Sequence, residues 1–200
     1  MSDYVRKPNI RWARPDERMP KDHNIRAKPG YKVFIGNRGE VMFSVPEPWF
    51  VTIGDDSIRM NDKEPPDDNC VLQVSIHYLP FGIDFSGLPV RKMVEELPDA
   101  DDDERKTLSR GKVIEVRRPD LEFAWGESRI LDVKENREAL SRLCLARASY
   151  IQALITFDLW PEDVDKFNPV WDEVLRTLKV GYVPPTEEKP KPKKLSEYLH

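Results

Sequence analysis

Tyr150-Ile151-Gln152-Ala153-Leu154-Ile155-Thr156-Phe157-Asp158-Leu159-Trp160 decides the fold. Ile151, Ala153, Ile155, Phe157 and Leu159 fall on one face of an extended chain, with mostly more polar residues between them. A period of two over so many residues is the signature of a strand with one face in a core. The preceding residues are ambiguous, because Glu138–Leu143 has helical propensity. Alternation of Leu143 and Leu145 with Arg142, Cys144 and Ala146 favours a second strand, with a turn at Ala148-Ser149. The pair then forms an antiparallel hairpin.

Working outward, Cys70, Leu72, Val74, Ile76 and Tyr78 alternate in the same way and predict a strand over Cys70–Tyr78. Tyr31–Ile35 and Glu40–Val45 flank Gly36-Asn37-Arg38-Gly39, a turn whose Gly and Asn suit positive φ. Trp49–Ile53, Lys112–Val116, Leu121–Trp125 and Ser128–Val133 are further expected strands, and residues 54–69 read as a polar loop. Pro89–Leu97 carries Val90, Met93, Val94 and Leu97 at helical spacing, and Thr107–Arg110 reads as a short helical piece. Near the end, Asn168 suits an N-cap, Pro169 a first helical residue, and Trp171, Val174, Leu175 and Leu178 an apolar stripe, with Gly181 past its end. Strands in sequence with helices near the middle and end imply an α+β domain: an antiparallel sheet of about six to eight strands flanked by helices.

Composition divides the 200 residues into three parts. Residues 1–30 hold eight Lys/Arg against four Asp/Glu, a net of +4; Pro8, Pro15, Pro20 and Pro29 break them, and they read as an extended basic arm. Residues 31–181 hold 20 against 29, a net of −9, and form the folded body. Residues 182–200 are a tail rich in Pro and Lys with a net of +1. The acidic body opposes binding to nucleic acid or an anionic membrane surface. The longest run free of Asp, Glu, Lys and Arg, Asn69–Ile83, has 15 residues and is too short to span a bilayer. Mean hydropathy is −0.63. With no apolar segment after Met1, and with Cys70 and Cys144 read as reduced buried thiols, the expected location is cytoplasmic. A single disulfide between the two is the alternative.

Val41-Met42-Phe43-Ser44-Val45-Pro46-Glu47-Pro48-Trp49 resembles the opening of PsbP-like domains: a strand, a proline, then a tryptophan. Ala146 through Thr156 resembles their last hairpin, and Phe167 through Leu178-Lys179-Val180-Gly181 their terminal helix. That superfamily includes the photosystem II extrinsic protein PsbP, a Ran nucleotide-release factor, bacterial lipoproteins and chaperones of type VI secretion effectors. The resemblance covers roughly residues 38–181. It implies an αβα sandwich and a binding or assembly role rather than catalysis. It assigns no functional residue.

The residues themselves offer few chemical constellations. Asp99, Asp101, Asp102, Asp103 and Glu104 lack the Gly and Glu of a calcium loop, because Glu104 and Arg110 stand in those places. His23, His77 and His200 have no metal-ligand spacing, and a Cys144–His77 nucleophilic pair lacks an oxyanion loop. No glycine-rich phosphate loop is present. No cofactor or metal is therefore expected. The arm is different. Trp12, between Arg11 and Arg14 and following Tyr4, has no local core to join. Trp and Arg are interface anchor types, so these four residues are the expected partner-binding set, docking on this body or on another chain. The expected function is a non-enzymatic protein-interaction module, an assembly subunit or chaperone; the alternatives are carboxylate or thiol enzymology, or nucleic-acid binding through the arm. On this division the body folds without its arm: a fragment of residues 31–183 should melt in one cooperative transition by circular dichroism, and a gradual loss of signal would contradict the boundaries.

Overall fold

A computed structural model describes residues 26–80, 85, 88–97 and 104–181. Eleven strands and two α-helices are formed among them. In chain order they are β1 (Tyr31–Gly36), β2 (Val41–Pro46), β3 (Phe50–Ile53), β4 (Ile58–Asn61), β5 (Cys70–Tyr78), α1 (Val90–Glu95), β6 (Arg105–Arg110), β7 (Ile114–Arg118), β8 (Leu121–Asp132), β9 (Arg137–Ala148), β10 (Ile151–Leu159), α2 (Val164–Thr177) and β11 (Lys179–Val180). The large sheet runs β3-β4-β5-β10-β9-β8-β6, with β7 also paired to β8; the small sheet is β1-β2-β11. Every pairing is antiparallel.

The alternation of β10 works as the sequence demands. Ile151, Ala153, Ile155, Phe157 and Leu159 are all buried, opposite Ala148, Ala146, Cys144, Arg142 and Leu140 of β9. This face meets α2 and β2 in the main core. The other parity, Ala124, Leu143, Leu145 and Leu154, meets Val90, Met93 and Val94 of α1. The layers are thus α1, the large sheet, and then α2 with the small sheet. The centre of the main core is aromatic. Phe157 lies between Trp171 (5.3 Å, near-parallel), Trp49 (6.3 Å, near-parallel) and Phe167 (6.5 Å, edge-on), and Trp125 meets Trp171 edge-on at 5.6 Å.

Several expectations change. Residues 54–69 contain β4: Ile58 and Met60 are buried and Arg59 exposed, a strand too short to stand out from its polar surroundings. Thr107–Arg110 is not helical but belongs to β6, which pairs with residues 128–132 of β8. Leu121–Trp125 and Ser128–Val133 are one strand. Gly126 looks like a break, but it marks a close approach instead. A Cβ there would sit 3.4 Å from Val113, and one on Gly111 would sit 2.9 Å from the carbonyl oxygen of Glu127. The two glycines let the bend between β6 and β7 cross against β8. Helix α2 begins at Val164, four residues before Asn168, and Pro169 lies inside it; the entry turn is a 3-10 segment, Pro161–Asp163, with Pro161 at its first position. Asn168 does not cap the helix. Its Oδ1 accepts a hydrogen bond from the buried Arg142. Gly181 has φ +72°, but it follows β11 rather than ending the helix, and its N–H donates to Glu40 at 2.7 Å.

Phe157→Ala should cost about 3–5 kcal/mol in urea unfolding, since it empties the centre of the aromatic cluster. Val133→Ala, on an exposed side chain, should stay within about 0.5 kcal/mol. Equal effects would contradict this placement of the core.

Candidate interaction surface

Tyr4, Arg11, Trp12 and Arg14, the tail 182–200 and residues 99–103 of the acidic run lie outside the described residues. The thiols are inside. Cys70 and Cys144 are free and buried, and burial drives both well above the usual thiol range. That suppresses the thiolate that any nucleophilic role needs. Cys144 faces the main core. His77 is exposed on β5 and pairs through Gln152 of β10 to Arg147 of β9, three residues along from Cys144. The two side chains do not meet. Among the described residues no three or more His, Cys, Asp or Glu are grouped to hold a metal ion.

Several buried side chains tie helices to sheet. Arg142 donates from Nε to Glu127 (2.8 Å) and from Nη2 to Asn168 of α2. On the opposite face Arg147 donates to Glu122 and to the carbonyl of Leu88, just before α1, both at 2.9 Å. Arg118 donates to the carbonyls of Arg176 and Leu178 at the end of α2. Glu173 of α2 accepts two hydrogen bonds from Arg176 (2.7 and 2.9 Å) and meets Lys28 at 3.2 Å. Tyr78, Glu40 and Asn37 are hydrogen-bonded together beside Tyr150, and burial followed by the Glu40 carboxylate pushes the Tyr78 phenol up. These contacts pin elements in place.

What distinguishes the surface is the contrast between the two edges of the large sheet. One edge is β6 and β7. It carries Arg105, Lys106, Arg110, Arg117 and Arg118, with Lys112 in the bend between the two strands, and its register shifts between Thr107 and Ser109. Charges and bulges are the devices that protect an edge from adding another strand. The other edge is β3, Phe50-Val51-Thr52-Ile53. It has no charged residue, and all four side chains are exposed; Phe50 is 46% and Val51 44% accessible. Gly54 N–H donates to Ser57 at 2.9 Å across the β3–β4 turn. Alternation of bonded and non-bonded pairs from that point turns the N–H and C=O of Val51 and Ile53 outward. Acidic residues flank the strand: Glu47 before it, Asp55 and Asp56 after it. The edge was hard to see in the sequence, because which strand ends a sheet depends on topology.

The family described as Alr1449 matches residues 32–183. The chain belongs to the Alr1449 family. A Nostoc sp. (strain PCC 7120) protein described as uncharacterized protein alr1449 is 36% identical over 177 residues, covering 88% of this chain and 91% of that protein. Among solved structures, cyanobacterial PsbP from Synechocystis sp. PCC 6803 aligns with a TM-score of 0.57 at 13% identity, over 77% of this chain and 94% of that one. LpqN from Mycobacterium tuberculosis, a protein involved in cell envelope biogenesis, aligns with a TM-score of 0.50 at 9% identity, over 71% and 83% of the two chains. At these identities the likeness concerns the fold, and the fold of this Alr1449-family chain is PsbP-like. No helix among the described residues is long and apolar enough to cross a membrane.

Lys28, ahead of β1, meets α2 in a titratable contact. Arg176 first, opposed by desolvation and then aided by Lys28, holds the Glu173 carboxyl below its usual value. A depressed carboxylate contributes stability that is present above its unfolded pKa of about 4.3 and lost as pH falls through the folded value. Glu173→Gln should therefore lower stability by about 1 kcal/mol at pH 7, the partners being largely solvated, and the gap should be smaller at about pH 3. Urea midpoints at the two pH values measure it; an equal gap at both would contradict the assignment.

Proposed function

We propose that this Alr1449-family chain is a non-enzymatic protein-interaction module, an assembly subunit or chaperone, that takes an extended protein segment as an added strand along β3. The observation that carries the reading is the uncharged, exposed edge of β3 beside an opposite edge bearing six cations and a bulge. Strand addition draws its affinity from main-chain hydrogen bonds and its specificity from alternate side chains. Phe50, Val51 and Ile53 offer the apolar part, and Glu47, Asp55 and Asp56 favour a segment with basic flanks. Tyr4, Arg11, Trp12 and Arg14 of the arm belong to the same binding system, Trp12 as the anchor. The raised thiols and the structural engagement of the buried Arg and Glu residues support a non-enzymatic reading. The two free cysteines fit a reducing, cytoplasmic setting. Division of the chain into arm 1–30, body 31–181 and tail 182–200 is part of the same proposal.

Recovery of a partner from the source cell tests it in three forms of the chain. Val51→Lys places a charge on the open edge and should reduce recovery roughly tenfold or more without shifting the melting temperature. Leu108→Lys, on the exposed opposite edge, should leave recovery as in the unaltered chain. Full recovery with Val51→Lys would overturn the role of β3.

A further inference from the structure

The arm leaves the body beside the start of β3. The carbonyl of Gly30 accepts the Glu47 N–H at 2.9 Å, and Lys32 Nζ donates to the carbonyls of Glu47 and Trp49. Lys28 is held against Glu173 at 3.2 Å. Residues upstream therefore start from the Phe50 end of the edge. Followed backwards in sequence, an arm laid along the edge from there runs from Phe50 toward Ile53, which makes it antiparallel to β3.

One segment of the arm has the composition of a strand. Asn9-Ile10-Arg11-Trp12-Ala13-Arg14 lies between Pro8 and Pro15, and contains no proline itself. The prolines bias Lys7 and Arg14 to extended backbone. Ile10 and Trp12 fall on one face of a strand and Arg11 and Ala13 on the other. In the antiparallel sense Arg14 comes near the Glu47 end, and Arg6 and Lys7 near Asp55 and Asp56. A second copy of β3 in the same sense would instead set Glu47 against Asp56, like charge on like charge. Residues 15–25 can span roughly 36 Å, against about 13 Å for the four-residue strand. A tether of that length gives an effective local concentration on the order of millimolar, which favours the arm of the same chain over that of another.

We propose that Asn9–Arg14 pairs antiparallel with β3 of its own chain, so that the arm caps the open edge and a partner strand must displace it. This rests on β3 as the strand-accepting edge and adds its regulation. Trp12 then anchors the cap, and its loss frees the edge rather than weakening it.

Amide hydrogen exchange of the full chain by NMR tests the proposal. Val51 and Ile53 should be protected, and Trp12→Pro, which breaks the added strand, should speed their exchange roughly tenfold or more while β10 amides stay unchanged. Partner recovery should rise with Trp12→Pro. Exchange at the unstructured rate in the unaltered chain would overturn the cap, while the Val51→Lys experiment would still judge the edge on its own. Protection that falls on tenfold dilution, together with a dimer mass by light scattering, would assign the strand to a second copy and also overturn it.

Discussion

Phe157 is the residue on which the architecture depends. It is fully buried, and its ring lies between those of Trp49, Phe167 and Trp171. Through it the end of β10, helix α2 and the turn between the two sheets become one packed unit. That turn carries the chain from β2 in the small sheet to β3 in the large one. Burial of Trp49 fixes where the turn ends, and β3 begins at the next residue with all its side chains outside. The aromatic core and the exposed edge are adjacent consequences of one short segment. Aromatic rings bury large areas and prefer offset or edge-on contact, so such a cluster constrains orientation as well as distance.

The edge differs from its counterpart by chemistry rather than geometry. Both ends of the large sheet present backbone groups. At β6 and β7 three of the cations are paired: Arg105 with Asp158 of β10, Arg117 with Glu115 of its own strand, and Arg118 with Asp120 and the end of α2. They shield that edge and bind elements together. β3 carries no charged residue of its own, and its four side chains are exposed. With Gly30 bonded to Glu47 just ahead of β3, we propose that the uncharged edge and the basic arm form a single system.

Much of this fold was legible in the sequence. The alternations of Cys70–Tyr78 and of residues 151–159 set the central strands, and Pro46-Glu47-Pro48-Trp49 separated the strands expected over Glu40–Val45 and Trp49–Ile53. The positive φ of Asn37 and Gly39 follows from the turn residues between β1 and β2. The misreadings share a cause. Gly126 serves a close backbone approach and Asn168 a tertiary hydrogen bond, and neither need is visible locally. β6 becomes a strand because residues 128–132 require a partner, not because Arg105–Arg110 favours one. The edge position of β3 was illegible for the same reason: a sequence shows that Phe50–Ile53 can be a strand, but only pairing order makes it the last one.

The most direct test of β3 as an acceptor uses a synthetic peptide of residues 4–15. Titrated into the isotope-labelled Trp12→Pro chain and followed by NMR, it should move the backbone amide resonances of Val51 and Ile53 first. Intermolecular contacts should place peptide Trp12 near Phe50 and peptide Asn9 near Ile53. Shifts confined to β6 and β7, or to α1, with β3 unmoved at saturation would contradict the account.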